Sequence, residues 1–274
     1  MVCFKKISIS LGFFVLLNIF PVYAKPSINT HSDTYNSEIK QKIIENVPYI
    51  NQYKEEIPSG CEAVSATMLI NYYGYELTAQ KFISDYLIKK DWYEKSRSII
   101  YTIIYGHDIY GPDPNAAYPG NPYISTGTNC GFGSYAPATA KSMNNVLGPS
   151  KHKAIWKKGL ELSEIAEKYI KNDIPVLIWA TTDMKEPKPG MKWTIDYVDE
   201  NSKLKKGDQF TWIAGEHCLV LIGYDDKNYY FNDPCTTKTC AYEKSIVEKR
   251  YEELGKQCVY IQELKDNKIN NNDT

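Results

Sequence analysis

The chain has 274 residues, 43% hydrophobic and 24% charged: enough for one sizeable core, and unlike a disordered, coiled-coil or collagen composition. Lys+Arg (32) and Asp+Glu (33) nearly cancel, and Arg97 and Arg250 are the only arginines, which argues against a nucleic-acid binder driven by phosphate contacts. Seven cysteines are too few for a disulfide-built scaffold, but they need an account.

Lys5 and Lys6 precede an apolar run at 7–20 (ISISLGFFVLLNIF), and Val22-Tyr23-Ala24 offers small residues where a signal peptidase reads. The run is short for a bilayer span, so residues 1–24 read as a secretory signal peptide. The expected protein is secreted or cell-surface, with no stable membrane insertion after cleavage, in a compartment where thiols oxidise. Its Lys/Asn/Ile/Tyr richness suits an AT-rich bacterial genome. Residues 25–44 read as a polar linker, 45–266 as one domain and 267–274 as a disordered tail.

Within the domain, 46–51 (NVPYIN) reads as a short strand and 52–60 as a loop. Residues 61–73 (CEAVSATMLINYY) read as a buried helix closed by Gly74, and 78–90 as a second helix. Residues 91–133 are long and dense in turn residues, as functional or mobile loops are. Helices are expected at 135–147, 162–171 and 242–254. Apolar, β-branched runs predict strands at 174–180, 217–224, 229–232 and 257–262, with 181–208 as a polar hairpin or excursion. Helices first and a mostly antiparallel sheet later define an α+β layout, one layer of helices on one sheet.

The chemistry centres on Cys61. Ser59-Gly60-Cys61-Glu62 fits a capping box, which sets Cys61 in the first helical turn, where free amides and the helix dipole favour a thiolate. Gly60 would let a substrate backbone approach the sulfur. Of His31, His107, His152 and His217, only His217 opens a buried apolar strand. Asp233, at the end of the next strand, would orient the imidazole, with Asn232 as the competing orienter. The Cys61 amide and the Gln52 side chain would hold the developing oxyanion. Labelling by iodoacetamide is expected to be fastest near pH 6 to 7 (about two units below an ordinary thiol). Cys235 and Cys240 suit a short disulfide better than a metal pair, and Cys130 and Cys258 are candidates for a second bridge.

Gln52, SGCEAVSATMLINYYG, GEHCLVLIGYD and YYFNDP together resemble the C-39-like cysteine peptidases, relatives of the leader peptidases of bacteriocin exporters. The resemblance spans 47–262 and implies a papain-like fold, a Cys61/His217/Asp233 triad and Gln52 in the oxyanion hole. It implies hydrolysis of a peptide or protein substrate with no cofactor and no metal. The alternatives are an exported binding protein on the same fold, or a cysteine transpeptidase or amidase acting on cell-wall peptides. The insertion at 91–133 prevents any transfer of substrate.

Overall fold

The structure, a computed structural model, describes residues 41–98, 103 and 106–264. The expected signal peptide, most of the linker and the expected tail lie outside the described residues. No helix among the described residues is long and apolar enough to cross a membrane.

A main sheet carries the fold. Among the described residues it has seven strands: β1 (Lys42–Ile43), β6 (His152–Lys158), β7 (Val176–Thr181), β10 (Glu216–Tyr224), β11 (Asn228–Asn232), β12 (Cys240–Glu243) and β13 (Gln257–Glu263). The order is β12-β11-β10-β7-β13-β6, with β1 also on β10, and every pairing is antiparallel. Residues Lys42 and Ile43 therefore belong to the fold rather than to the linker.

The uninterrupted apolar runs of β7 and β10 follow from burial on both faces. Leu177, Trp179, Cys218 and Val220 face one core, and Val176, Ile178, Leu219 and Leu221 face another. This alternation is the period of the pleat. The first core is shared with α1 (Cys61–Tyr72) and the later helix Ala136–Leu147. The second is closed by the helices Leu162–Lys168 and Lys244–Glu253. Helices thus cover both faces of the sheet, not one as the sequence suggests. The mixed helix-and-strand class holds.

Several elements differ from expectation. Residues 46–51 form no strand: the Val47 and Pro48 carbonyls accept from Asn232 Nδ2 (3.0 and 3.2 Å), and Pro48 has no amide for a ladder. The second helix is a short turn, Ala79–Lys81, capped by Thr78 and continued by a π turn at Phe82–Tyr86. The region 91–133 is not a bare loop. It contributes β5 (Tyr118–Pro119), paired with β2 (Lys89–Lys90), and adds β3 (Tyr93–Lys95) and β4 (Asp108–Pro112) to a sheet with β8 (Lys188–Tyr197) and β9 (Gln209–Ala214). The 181–208 excursion holds β8, whose hairpin partner is β9. The strand β6 has no apolar run to mark it in the sequence. Three of its residues are lysines, it lies at a sheet edge, and only Ala154 is buried.

Candidate active site

Helix α1 begins at Cys61, with Gly60 as N-cap, and Gly74 follows it in the left-handed region (φ 85°). Residues 61–70 are all buried. Ser65 Oγ donates to the Cys218 carbonyl (3.0 Å), which ties α1 to the start of β10. Cys61 lies one turn before Ser65 on the same helix face, so it is directed toward the strand that carries His217.

The hairpin β10–β11 brings the next two residues together. Val220 pairs with Asn232, so His217, near the start of β10, lies beside Asp233, just past the end of β11. Asp233 Oδ1 and His217 Nε2 are 2.7 Å apart, and both side chains are 2% exposed. The Asp233 carboxylate also accepts from the Cys235 amide (2.8 Å) and from Tyr242 Oη (2.9 Å), so its direction is fixed. Asn232, the competing orienter, is engaged elsewhere: besides the Val47 and Pro48 carbonyls it binds Thr239 Oγ1 (2.6 Å).

With Nε2 on Asp233, the other ring nitrogen is free for a thiol. The sulfur in contact with Nδ1 is that of Cys235, at 4.0 Å. Cys61 Sγ instead donates to Glu62 Oε2 (3.3 Å). Gln52 is buried beside the same loop: its amide donates to the Pro234 carbonyl (2.9 Å) and its Nε2 to the Pro58 carbonyl (3.0 Å). His152 and His107 lie elsewhere, against Tyr75 and Glu94.

Three local expectations change. The capping box does not form. Ser59 Oγ donates to the Ile124 carbonyl, while Glu62 turns inward to accept from the Ser134 amide (2.6 Å). Gly60 has a second reason to be bare: Ile57 and Pro122 fill the space a side chain would need. The Cys235–Cys240 bridge is not formed, and neither is a second one: Cys61, Cys130, Cys218, Cys235, Cys240 and Cys258 are all free. Cys235 is turned to His217 and Tyr53, whereas Cys240 sits in β12 with Sγ on the Phe231 carbonyl.

The residues missed by sequence reasoning are acidic. Glu216, first in β10, faces Glu62, and one oxygen of each lies within 4.8 Å of the other and of Cys61 Sγ. Gly133 makes room for them: a methyl there would strike Glu62 Oε1, Glu216 Oε2 (2.7 Å) and the Trp212 ring (3.0 Å). Nothing in a Cys-Glu or Glu-His dipeptide announces that pairing; a glycine at 133 is its only trace.

These carboxylates oppose the helix dipole. Burial, then the charges of Glu62 and Glu216, push the Cys61 thiol well above its ordinary value. Burial raises Glu62 to about 7, and burial with the neighbouring Glu62 raises Glu216 well above the carboxylate range. Burial works against charge on His217. Hydrogen bonds and charge from Asp233 and Cys235 outweigh it and hold the imidazolium well above the usual value. Burial likewise opposes charge on Asp233, but His217 leads the groups that bring it below the usual range.

Labelling of Cys61 should therefore rise with pH beyond neutrality instead of peaking near 6 to 7 (an ordinary thiol is half-ionised near about 8.5). At about pH 8, Glu62→Gln removes a repelling charge and is expected to speed iodoacetamide labelling of Cys61 about three- to tenfold. Time-resolved mass spectrometry of the quenched protein checks this, and an unchanged or slower rate contradicts it.

Comparison with known proteins defines the class. Residues 44–259 match the Peptidase_C39 like family. The chain therefore belongs to the Peptidase_C39 like family. It is 25% identical over 205 residues to the uncharacterized protein YvpB of Bacillus subtilis (strain 168), covering 74% of this chain and 69% of that protein. It shares its fold with a crystal structure from Bacillus anthracis, described as a candidate C39-like peptidase. The TM-score is 0.61 at 22% identity, over 82% of this chain and all of the other.

Proposed function

We propose that the protein is a papain-like thiol hydrolase of peptide or amide bonds, acting outside the cytoplasm on a peptide or protein substrate. Cys61 is the nucleophile, His217 moves the proton, Asp233 orients the imidazole, and Gln52 with the Cys61 amide holds the oxyanion. The observation that carries this reading is the buried 2.7 Å contact between His217 Nε2 and Asp233 Oδ1, which reserves Nδ1 for a thiol.

The chemistry runs in two halves. With the imidazole neutral at Nδ1, the form that grows as pH rises through the raised His217 value, Cys61 leaves Glu62, gives its proton to Nδ1 and attacks the carbonyl carbon. The Cys61 amide, at the first helical position, has no acceptor inside the helix and is available to the oxyanion. Gln52 Nε2 spends one hydrogen on the Pro58 carbonyl and keeps a second for the same oxygen. His217 then protonates the leaving amine, and water, deprotonated by the same imidazole, hydrolyses the thioester.

One observation favours a second assignment of the nucleophile: Cys235 is the thiol in contact with Nδ1. Against it, the Cys235 amide is already bound to Asp233, so that residue brings no oxyanion donor of its own. The test is incubation of the reduced protein with a peptide mixture, with and without an added amine, followed by mass spectrometry. New carboxyl termini formed by water support hydrolysis. Amide products with the added amine point to acyl transfer, and no product points to a binding protein.

A further inference from the structure

We infer that Cys61, Glu62 and Glu216 form a site for a zinc-class divalent cation, and that its occupancy ties up the Cys61 sulfur. One ligand atom from each lies within 4.8 Å of the other two, and all three residues are buried. The Cys61 Sγ to Glu62 Oε2 distance is 3.3 Å. Two ligands sharing a tetrahedral zinc, at about 2.3 Å for sulfur and about 2.1 Å for oxygen, stand about 3.6 Å apart. That pair is therefore already spaced for an ion, and Glu216 needs only a small approach.

The second observation is Glu216 itself. Its side chain belongs to a residue only 8% exposed, and neither oxygen accepts a hydrogen bond from an N–H or hydroxyl donor among the described residues; its polar neighbour is the Glu62 carboxyl. Among the described residues, neither Glu62 nor Glu216 forms a salt bridge with a lysine or arginine. The His217 imidazolium acts on both glutamates but is already paired with Asp233, so two carboxylates and a thiol taken out of water are still costly, and either a shared proton or a metal ion relieves the cost.

The surroundings suit the ion. The Ser134 amide holds Glu62 Oε1 and leaves Oε2 toward the sulfur, the outer-shell orientation that metal carboxylates use. One thiolate with two carboxylates is a borderline-soft donor set that favours zinc over magnesium or calcium. On binding, the thiol proton and any proton shared by the two glutamates pass to solvent, so affinity rises with pH. The site does not depend on the peptidase reading; only the consequence, a silenced nucleophile, rests on it.

The test is direct titration of the chelator-stripped, reduced full chain with zinc chloride against a chromophoric chelator at about pH 7.5. The expected result is one zinc per chain, weakened at least about tenfold by Glu216→Gln and unchanged by His217→Ala. Zinc X-ray absorption of the wild-type protein gives a readout without any variant: one sulfur and oxygens, with no imidazole scattering. No binding would mean that a shared proton satisfies the carboxylates, and overturns the site. Imidazole in the zinc shell, or binding lost in His217→Ala and kept in Glu216→Gln, also overturns it by moving the ion to the neighbouring His217, Asp233 and Cys235.

Discussion

Replacing Asp233 by asparagine is expected to lower kcat by about 10⁴-fold while the protein stays folded. In the proposed mechanism the carboxylate does two things at once: it selects the tautomer that presents Nδ1 to the thiol, and it stabilises the imidazolium that forms when the proton moves. An asparagine keeps the size but loses the charge, and it can donate to Nε2 and so favour the wrong tautomer. Removing the group altogether, in Asp233→Ala, adds a stability cost. Both partners are 2% exposed, so the imidazole would be left buried without its counter-charge. Breaking a buried pair in this way costs about 3–5 kcal/mol, read by urea unfolding.

That cost has a defined pH window. The folded His217 value is raised, so its contribution is complete below the ordinary imidazole value and is lost as pH rises through the folded one. The folded Asp233 value is lowered, so its contribution is complete above the ordinary carboxylate value and is lost as pH falls through the folded one. The gap between wild type and Asp233→Ala should be widest from about pH 4 to 6.5 and narrow on both sides. A gap that does not narrow below about pH 4 and above about pH 6.5 would mean the pair is not ionic.

The second large effect separates the two candidate thiols, Cys61 and Cys235. Cys61→Ala is expected to reduce peptide cleavage by at least about 10⁴-fold, the loss that follows removal of a nucleophile. Cys235→Ala is expected to keep activity within about tenfold, because it removes a neighbour of the imidazole and no bond to the substrate. Steady-state kinetics on one peptide substrate decides it. The opposite ranking would transfer the nucleophile to Cys235, whose sulfur lies 4.0 Å from Nδ1.

Much of this site can be read from the sequence, for local reasons. Two apolar runs joined by the turn at 225–228 form one hairpin, and hairpin geometry alone brings His217 to Asp233. A helix that starts at Cys61 and stops before Gly74 is marked at both ends. What the sequence hides is set by contacts between distant segments. Ser59 and Glu62 have capping-box spacing, yet the 91–133 segment brings the Ser134 amide over the helix start and takes Glu62 for itself. The spacing of Cys235 and Cys240 suggests a bridge, but the two belong to different surroundings, one at the histidine and one in β12. In β8 the buried Trp193 and Ile195 alternate with less buried neighbours, as a strand should, though lysines and an aspartate disguise the pattern. Glu216 precedes a histidine that attracts all attention, and its partner lies far away along the chain in α1.

The proposed mechanism turns on Cys61 as the nucleophile served by His217. Its most direct test is to treat the reduced protein with a peptidyl vinyl sulfone, a thiol trap that needs an active site, and to map the adduct by peptide mass spectrometry. A single adduct on Cys61, strongly slowed in His217→Ala, is expected. An adduct on Cys235, or labelling of Cys61 at the same rate without His217, would contradict it.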